Sequence, residues 1–348
     1  LAPGAARAAA SRNWPPFVLV AGLLLIGLVA ADDHLFSAAG HRLAAFTKHP
    51  VALYLWAMAL VAVVTAVLNL DTSVAFLTPV LIHTARRRRG AAPLVYGCLL
   101  LSNAGSLLLP GSNLTNLIVL GHLHLSGGQF LVRMAPAWAA AVVVTVAVVG
   151  LLERRSLGVR PGATLEPDRP KLGLGLVAVA AAVVLVLVLR DPALPVLGVG
   201  IVVVAARRER LSRVWGVLGV PILLGLFGVA VALGGAARVW NGPAHFLSGL
   251  GLWPTGLLAA ASTVVVNNLP AASLLSARVP PHPYALLVGL NIGPNLFVTG
   301  SLAWILWLRA AGQTGERPSI RHATRLGLIA APLALVAALG ALDLAGRM

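Results

Sequence analysis

The sequence contains little of what soluble enzymes require. Of its 348 residues only 10% are charged and 5% are aromatic, and Cys98 is the single cysteine. One cysteine excludes a disulfide within the chain and a site of several thiolates. The sequence also lacks a nucleotide-binding P-loop, an HExxH zinc motif and a GxSxG nucleophile motif. Nothing in it therefore supports hydrolysis or nucleotide use.

Acidic residues are scarce as well, whereas basic and apolar residues are abundant. Ten Asp and Glu residues stand against 26 Lys and Arg, for a net charge of +16, and 59% of the residues are hydrophobic. This composition predicts a polytopic protein of the lipid bilayer. The basic residues concentrate in short loops at 86–89, 154–171, 207–213 and 309–325. We interpret them as positive-inside loops of a bacterial inner-membrane protein, and not as a nucleic-acid surface.

Apolar runs long enough to cross a bilayer recur along the chain. They cover residues 14–31, 91–120, 134–152, 172–189, 192–206, 214–233, 284–308 and 326–344. Two amphipathic segments, 34–47 and 236–250, are predicted to lie in the membrane interface. We therefore expect an all-α polytopic membrane protein.

Two further apolar stretches, 51–84 and 252–278, each contain a polar centre, at 69–73 and 266–270. A straight helix over the first stretch would be roughly 50 Å long, against a hydrocarbon core of roughly 30 Å. Each stretch therefore predicts a re-entrant hairpin whose tip lies near the middle of the bilayer.

The runs 91–120 and 284–308 are interrupted by Ser, Asn, Gly and Pro residues, at 102–113 and 291–301. Unwound backbone at bilayer depth is tolerated only where protein or a water-filled cavity satisfies its amides and carbonyls. A matched pair of broken helices, one in each half of a chain, indicates the substrate site of a secondary transporter.

The two halves of the chain follow one order of elements, which predicts an inverted repeat. Residues 1–152 form the first repeat and residues 214–348 the second, separated by a cytoplasmic basic loop at 153–171 and a helix pair at 172–206. With this count, every strongly basic loop lies on the cytoplasmic face. The helix pair has no counterpart before the first repeat. We expect two N-terminal helices to be either missing from the sequence or absent from a shortened form.

Asp71 is the one acidic residue that falls inside an apolar span. A carboxylate within a membrane is costly unless it is paired or protonated, so a functional role is the default hypothesis. We expect Asp71 to carry a proton or to contact substrate. N-capping of the second limb of its hairpin is the structural alternative.

Neutral polar residues at the four interruptions either bind a solute or satisfy the broken backbone. Four such clusters at one expected depth favour a shared site. The candidates beside Asp71 are Asn69, Thr72, Asn103, Ser106, Ser112, Asn113, Asn267, Asn268, Asn291, Asn295, Thr299 and Ser301. This set predicts no catalytic residue, no metal site and no cofactor.

Several segments resemble the arsenite/antimonite permeases of the ion transporter superfamily. The resemblance runs from residue 14 to residue 345, and it is most specific at 267–270, 293–294 and 300–303. It implies the fold of that superfamily, with two re-entrant hairpins and two broken helices. It also implies export of trivalent arsenic or antimony hydroxide from the cytoplasm by proton antiport, with the proton-motive force as the coupling energy. A soluble ATPase accompanies some members, and a homodimer is a further expectation.

The chain departs from the family pattern at three positions. Family members carry Asp where this chain has Asn103 and Asn291, and Lys where it has Asn295, so Asp71 remains as the one obvious proton carrier. Arsenous acid is a neutral trihydroxy solute, which suits a pocket of amides and hydroxyls with one carboxylate.

Two alternatives to arsenite export stay open. A sodium- or proton-coupled anion or dicarboxylate transporter of the same superfamily is the first, although its Ser-Asn-Thr hairpin tips do not occur here. A non-transporting membrane subunit or a channel is the second.

Overall fold

The computed structural model describes residues 3–46, 49–86, 91–121, 125–157, 173–240 and 242–347, and these residues form helices, turns and loops without a strand. In chain order the α-helices are α1 Pro3–Asp32, α2 Leu35–Phe46, α3 Pro50–Val67, α4 Leu70–Arg86, α5 Ala91–Gly105, α6 Leu114–Leu120, α7 Gly127–Leu152, α8 Leu174–Val188, α9 Ala193–Ala206, α10 Leu211–Leu218, α11 Val220–Val239, α12 Gly242–Ser248, α13 Leu252–Val266, α14 Asn268–Leu275, α15 Pro283–Ile292, α16 Ala303–Gln313 and α17 Ile320–Arg347. The prediction of an all-α fold is confirmed.

Five helical stretches among the described residues are long and apolar enough to cross a membrane. They are Ala9–Asp32, Pro50–Val67, Gly127–Leu152, Leu211–Ala236 and Ile320–Arg347. The remaining apolar helices are shorter, because polar residues, proline or glycine interrupt the runs in which they lie.

The four interrupted runs form pairs of helices whose junctions coincide with the polar centres. Helices α3 and α4 meet at Leu68 and Asn69, and α13 and α14 meet at Asn267, whose φ of 72° lies in the left-handed region. In the first broken helix, a 3-10 turn at Pro110–Ser112 separates α5 from α6. In the second, a 3-10 turn at Gly293–Leu296 and a loop separate α15 from α16.

Helix α1 forms the centre of one side of the bundle and packs against α8, α9 and α11. Its side chains Leu23, Ile26 and Val29 are fully buried. Gly22 lets α1 and α9 approach closely, since a Cβ at that position would overlap the backbone of Leu197. Small residues at such crossings are typical of helices that pack within a bilayer.

The interrupted helices pack across the two halves of the chain. Helix α4, after the junction at Asn69, lies against α16, and α14, after the junction at Asn267, lies against α6. Helices α7 and α17, one from each half, also pack along each other. The ends of all four interrupted helices are thereby brought to one region.

Two expected boundaries differ in the structure. The crossing expected at 214–233 is divided at Gly219, which adopts a left-handed conformation between α10 and α11. The interfacial segment expected at 236–250 is shorter, because α11 continues to Val239 and only Gly242–Ser248 forms the separate helix α12. Much of the predicted basic loop 153–171 and the basic residues 87–89 lie outside the described residues.

Candidate functional site

The first residues of four helices meet at one place in the interior. These helices are α4, α6, α14 and α16, the second members of the four interrupted pairs. A helix N-terminus presents free amide N–H groups and partial positive charge, of about half an elementary charge in a helix of several turns. The region is therefore suited to ligands that carry oxygen lone pairs.

Asparagine side chains cap three of these N-termini. Asn69 Oδ1 accepts a hydrogen bond from the Thr72 N–H at 2.6 Å, and Asn113 Oδ1 accepts one from the Thr115 N–H at 3.1 Å. Asn267 Oδ1 accepts a hydrogen bond from the Leu269 N–H at 3.3 Å. These three residues therefore satisfy backbone N–H groups at the breaks, which is the structural alternative to solute binding stated for the polar clusters.

Asp71 follows the capping residue and has a different role from it. Because Asn69 caps α4, the Asp71 carboxylate is not the cap, although it lies in the first turn of that helix. The side chain is half-buried, and no described residue gives it a hydrogen bond or an ion pair. Its carboxylate is therefore available to a ligand or a proton.

A cavity of ≈ 30 Å³ lies between these N-termini, with room for about two water molecules. Its walls come from residues 70–71, 113–115, 267–269 and 301–303, with Leu226 of α11 closing one side. Asp71 is the one charged side chain among the described residues that line it. The cavity therefore combines a single carboxylate with amides, hydroxyls and helix N-termini.

A network of buried side chains lies beside the cavity and joins the two broken helices. Asn291 Oδ1 accepts hydrogen bonds from Asn113 Nδ2 at 2.6 Å and from Ser106 Oγ at 2.7 Å. Asn291 Nδ2 donates to Asn116 Oδ1 at 2.8 Å, and Asn116 Nδ2 donates to the Ser106 carbonyl at 2.7 Å. Ser112 Oγ donates to the same carbonyl at 2.6 Å. The amide of Asn291 is thus fully engaged by the protein.

A second network joins the same two helices through Asn103. Asn103 Nδ2 donates to Asn295 Oδ1 at 3.0 Å, and Ser301 Oγ donates to Asn103 Oδ1 at 3.1 Å. Asn295 Nδ2 donates to the Leu100 carbonyl at 2.7 Å. All of these side chains are buried. Asn103, Asn291 and Asn295, the three positions that depart from the family pattern, are thus neutral amides held by hydrogen bonds within the protein.

The structure divides the predicted site residues into three groups. Asp71, Asn113, Asn267, Asn268 and Ser301 line the cavity. The residues that form the two networks without lining the cavity are Asn103, Ser106, Ser112, Asn291 and Asn295.

The remaining three predicted residues, Asn69, Thr72 and Thr299, do not line the cavity. Asn69 is the cap of α4, and its Nδ2 and the buried Thr72 hydroxyl find no hydrogen-bond partner among the described residues. Thr299 is exposed, and its hydroxyl donates to the Val264 carbonyl at 2.8 Å. Its side chain thus links the loop before α16 to α13.

Two residues at the start of α6 belong to the site but were not predicted from the sequence. The Thr115 side chain is 1% exposed, lines the cavity and has no hydrogen-bond partner for its hydroxyl among the described residues. Asn116 is fully buried and connects Asn291 to the first break. Their position in the sequence could have indicated this role, because residues in the first helical turn after a break lie close to the break itself.

Comparison with known proteins gives one family match and several relatives. Residues 2–312 match the family model described as Citrate transporter (CitMHS). The arsenical pump membrane protein of Escherichia coli (strain K12) is 25% identical over 330 residues, covering 84% of this chain and 77% of that protein. The inner membrane protein YbiR of the same strain is 25% identical over 306 residues, covering 87% of this chain and 81% of that protein.

A solved structure has a related fold. The YdaH transporter of Alcanivorax borkumensis, whose crystal structure reveals an unusual topology, aligns with a TM-score of 0.57 at 14% identity. The alignment covers 97% of this chain and 86% of that one. This likeness concerns the fold alone and is consistent with the ion transporter superfamily fold expected from the sequence.

Proposed function

The chain belongs to the citrate transporter (CitMHS) family. We propose that, as a transporter, it exports arsenite and antimonite by proton antiport. The family and the relatives establish a multi-pass transporter of the inner membrane, which is not an enzyme. The resemblance to arsenical permeases, expected from the motifs, is also confirmed. The solute, the direction of transport and the coupling ion are what we propose.

The observation that carries the proposal is the chemistry of the cavity. Asp71 is its one charged wall residue in the described chain, and the other polar groups are neutral. A trihydroxy solute can donate a hydroxyl hydrogen to the Asp71 carboxylate and accept N–H bonds at its oxygens from the helix N-termini. Both kinds of bond are then made by a neutral molecule, and no charge has to be desolvated with it.

The same carboxylate would couple the solute to a proton. While Asp71 is ionised, it accepts a hydrogen bond from the solute. Protonation from the outside replaces the charged acceptor with a weaker neutral one and so releases the solute, and the protonated carboxyl returns to give its proton to the cytoplasm. Because the solute and the proton compete for one carboxylate, the two move in opposite directions.

Anion transport is the second candidate, because the matching family model is described as Citrate transporter. Helix N-termini favour anions, which supports this reading. Within the described chain, however, the cavity has no Arg, Lys or His that could pair with a carboxylate substrate. An ionised Asp71 would repel such a substrate, so we rank it second.

Transport into everted membrane vesicles tests the proposal. In a host without its own arsenite transporter, an acid-inside pH gradient should drive arsenite uptake, and nigericin should abolish it. Asp71→Asn should reduce uptake to the level of empty vesicles. Asp343→Asn makes the same chemical change at the end of α17, outside the cavity and beside Arg347, and should transport normally.

Three outcomes would contradict the proposal. These are uptake that requires sodium, uptake that persists after nigericin, and normal uptake by Asp71→Asn. Citrate uptake in the same vesicles, driven by sodium or a pH gradient, would instead support the anion transporter.

A further inference from the structure

The short helix α10 exposes large apolar side chains on one of its faces. Leu211 is 84% exposed and Trp215 is 61% exposed, and no residue of the helix is buried. Residues four apart lie on the same side of a helix, so these two side chains form one apolar patch. Arg213 and the exposed Gly216 lie on the opposite side, and Ser212 lies at the edge between the two sides.

Basic side chains surround the start of this helix, and they differ in how they are engaged. Arg207 pairs with Asp33, and Arg213 donates to Asp32 at 2.7 Å. Arg208 and Arg210 are exposed, and neither pairs with any described residue. Two arginines therefore lie next to the apolar patch with their charge uncompensated by the described protein.

The position of α10 along the chain places it beside the bilayer. The helix ends at Gly219, where the left-handed conformation turns the chain directly into α11. The stretch Leu211–Ala236 is apolar enough as a whole to cross a membrane, but the 20 residues of α11 suffice without α10, and α11 lies against α1. A short amphipathic helix at the end of such a segment is at the level of the lipid headgroups, where tryptophan is enriched.

We propose that α10 is a membrane-interface anchor that binds anionic phospholipids. Leu211 and Trp215 insert between the acyl chains, and Arg208 and Arg210 bind the headgroup phosphates. An apolar face beside unpaired arginines is the pattern of helices that lie on anionic membranes. The proposal concerns lipid binding alone and is independent of the transported solute.

Site-specific fluorescence tests the insertion of the apolar patch. Leu211→Cys, Trp215→Cys and the control Gly216→Cys, where an added Cβ meets nothing within 4 Å, are each made in a Cys98→Ser background. Each variant is labelled with an NBD fluorophore and reconstituted into vesicles containing phosphatidylglycerol. The probes at 211 and 215 should emit at shorter wavelength and be quenched by nitroxide-labelled lipids, whereas the probe at 216 should show the emission of a probe in water. Equal, water-like emission at all three positions would overturn the proposal.

Lipid titration tests the role of the arginines. Phosphatidylglycerol, but not phosphatidylcholine, should raise the thermal unfolding midpoint of the detergent-solubilised protein. R208Q/R210Q should require about 10-fold more phosphatidylglycerol for the same rise, while R309Q/R317Q, the same charge change at two other exposed arginines, should respond like wild type. An equal loss in both pairs, or no loss in either, would contradict a specific site on α10.

Discussion

Neighbouring polar residues at the junction of α3 and α4 have different roles. Asn69 donates nothing to the described protein through its Nδ2, but its Oδ1 caps α4 by accepting from the Thr72 N–H at 2.6 Å. Asp71 therefore does not cap the helix. It lines the cavity, and no residue that the structure describes pairs with its carboxylate. A neutral cap beside a free carboxylate keeps the proposed coupling group chemically separate from the group that holds the hairpin tip.

Thr115 provides a residue-scale prediction about solute binding. Thr115→Val keeps the shape of the side chain but removes the hydroxyl, whereas Thr115→Ser keeps the hydroxyl. If the hydroxyl contacts the solute, Thr115→Val should raise the KM for transport about 10-fold, which is the loss of one hydrogen bond, and Thr115→Ser should stay near wild type.

The stability of the same variants serves as the control. Since the Thr115 hydroxyl has no hydrogen-bond partner among the described residues, its removal should leave the thermal midpoint unchanged or raise it. A rise in KM that accompanies a fall in stability, or equal KM values for the two variants, would mean that Thr115 does not contact the solute.

Residue types in the sequence were enough to locate the polar interruptions, but not to assign roles within them. Asn103 and Asn291 were predicted from their breaks, yet their amides are used to join the two broken helices. An Asn can cap a helix, bond another amide or face a cavity, and the choice depends on the neighbouring helix that reaches it. That neighbour comes from about 190 residues away, as in the Asn103–Asn295 bond with its separation of 192.

At the scale of elements, helix junctions with polar or Pro-Gly signals were predictable, and the junction at Gly219 was missed. The run 214–233 reads as a continuous apolar crossing, because a single glycine is tolerated in a membrane helix. Gly219 is followed by Pro221 in the first turn of α11. Glycine at the end of one helix and proline at the start of the next is a boundary signal that hydropathy alone does not report.

The packing of α17 against the second break gives an element-scale prediction. A Cβ added at Gly327 would overlap the carbonyl oxygen of Asn295, whose side chain joins the two broken helices. Gly327→Ala should therefore destabilise the protein by about 1–3 kcal/mol, as overpacking does, and lower the midpoint of thermal unfolding. Gly225→Ala, in α11, meets nothing within 4 Å and is the matched control.

The control variant should be as stable as wild type or slightly more so, because alanine favours a helix over glycine. Equal midpoints for Gly327→Ala and Gly225→Ala would show that α17 can move away from the break without cost. In that case the close approach of α17 would not hold Asn295 in place.

At the scale of the whole molecule, the two halves are interlocked. Helix α4 packs against α16 and α14 packs against α6, in each case across the two halves of the chain. The amide networks join the two broken helices as well. Neither half therefore completes the cavity alone, since its walls come from both. The inverted orientation of the halves stays a prediction from loop charges.

The helix pair α8 and α9 gives a prediction about the number of crossings, because its helices are short for a bilayer. Helix α8 has 15 residues and α9 has 14, so each spans roughly 21–23 Å against a hydrocarbon core of roughly 30 Å. The Asp33 carboxylate accepts from the Gly175 N–H of α8 at 2.7 Å and also pairs with Arg207 after α9. The start of α8 and the end of α9 thus lie together at the end of α1. Asp191, in the loop that joins α8 to α9, lies at the opposite end of the pair.

Labelling of single cysteines should show that this pair crosses the membrane. Arg190 and Asp191 are exposed and charged, so the joint should reach water by local thinning of the bilayer. Asp191→Cys should react with a membrane-impermeant maleimide in intact cells, and Ser212→Cys only in everted vesicles. The native Cys98 is fully buried and contributes little background. Labelling of both positions from the same side would mean that α8 and α9 do not cross and that the count of crossings before the second repeat is wrong.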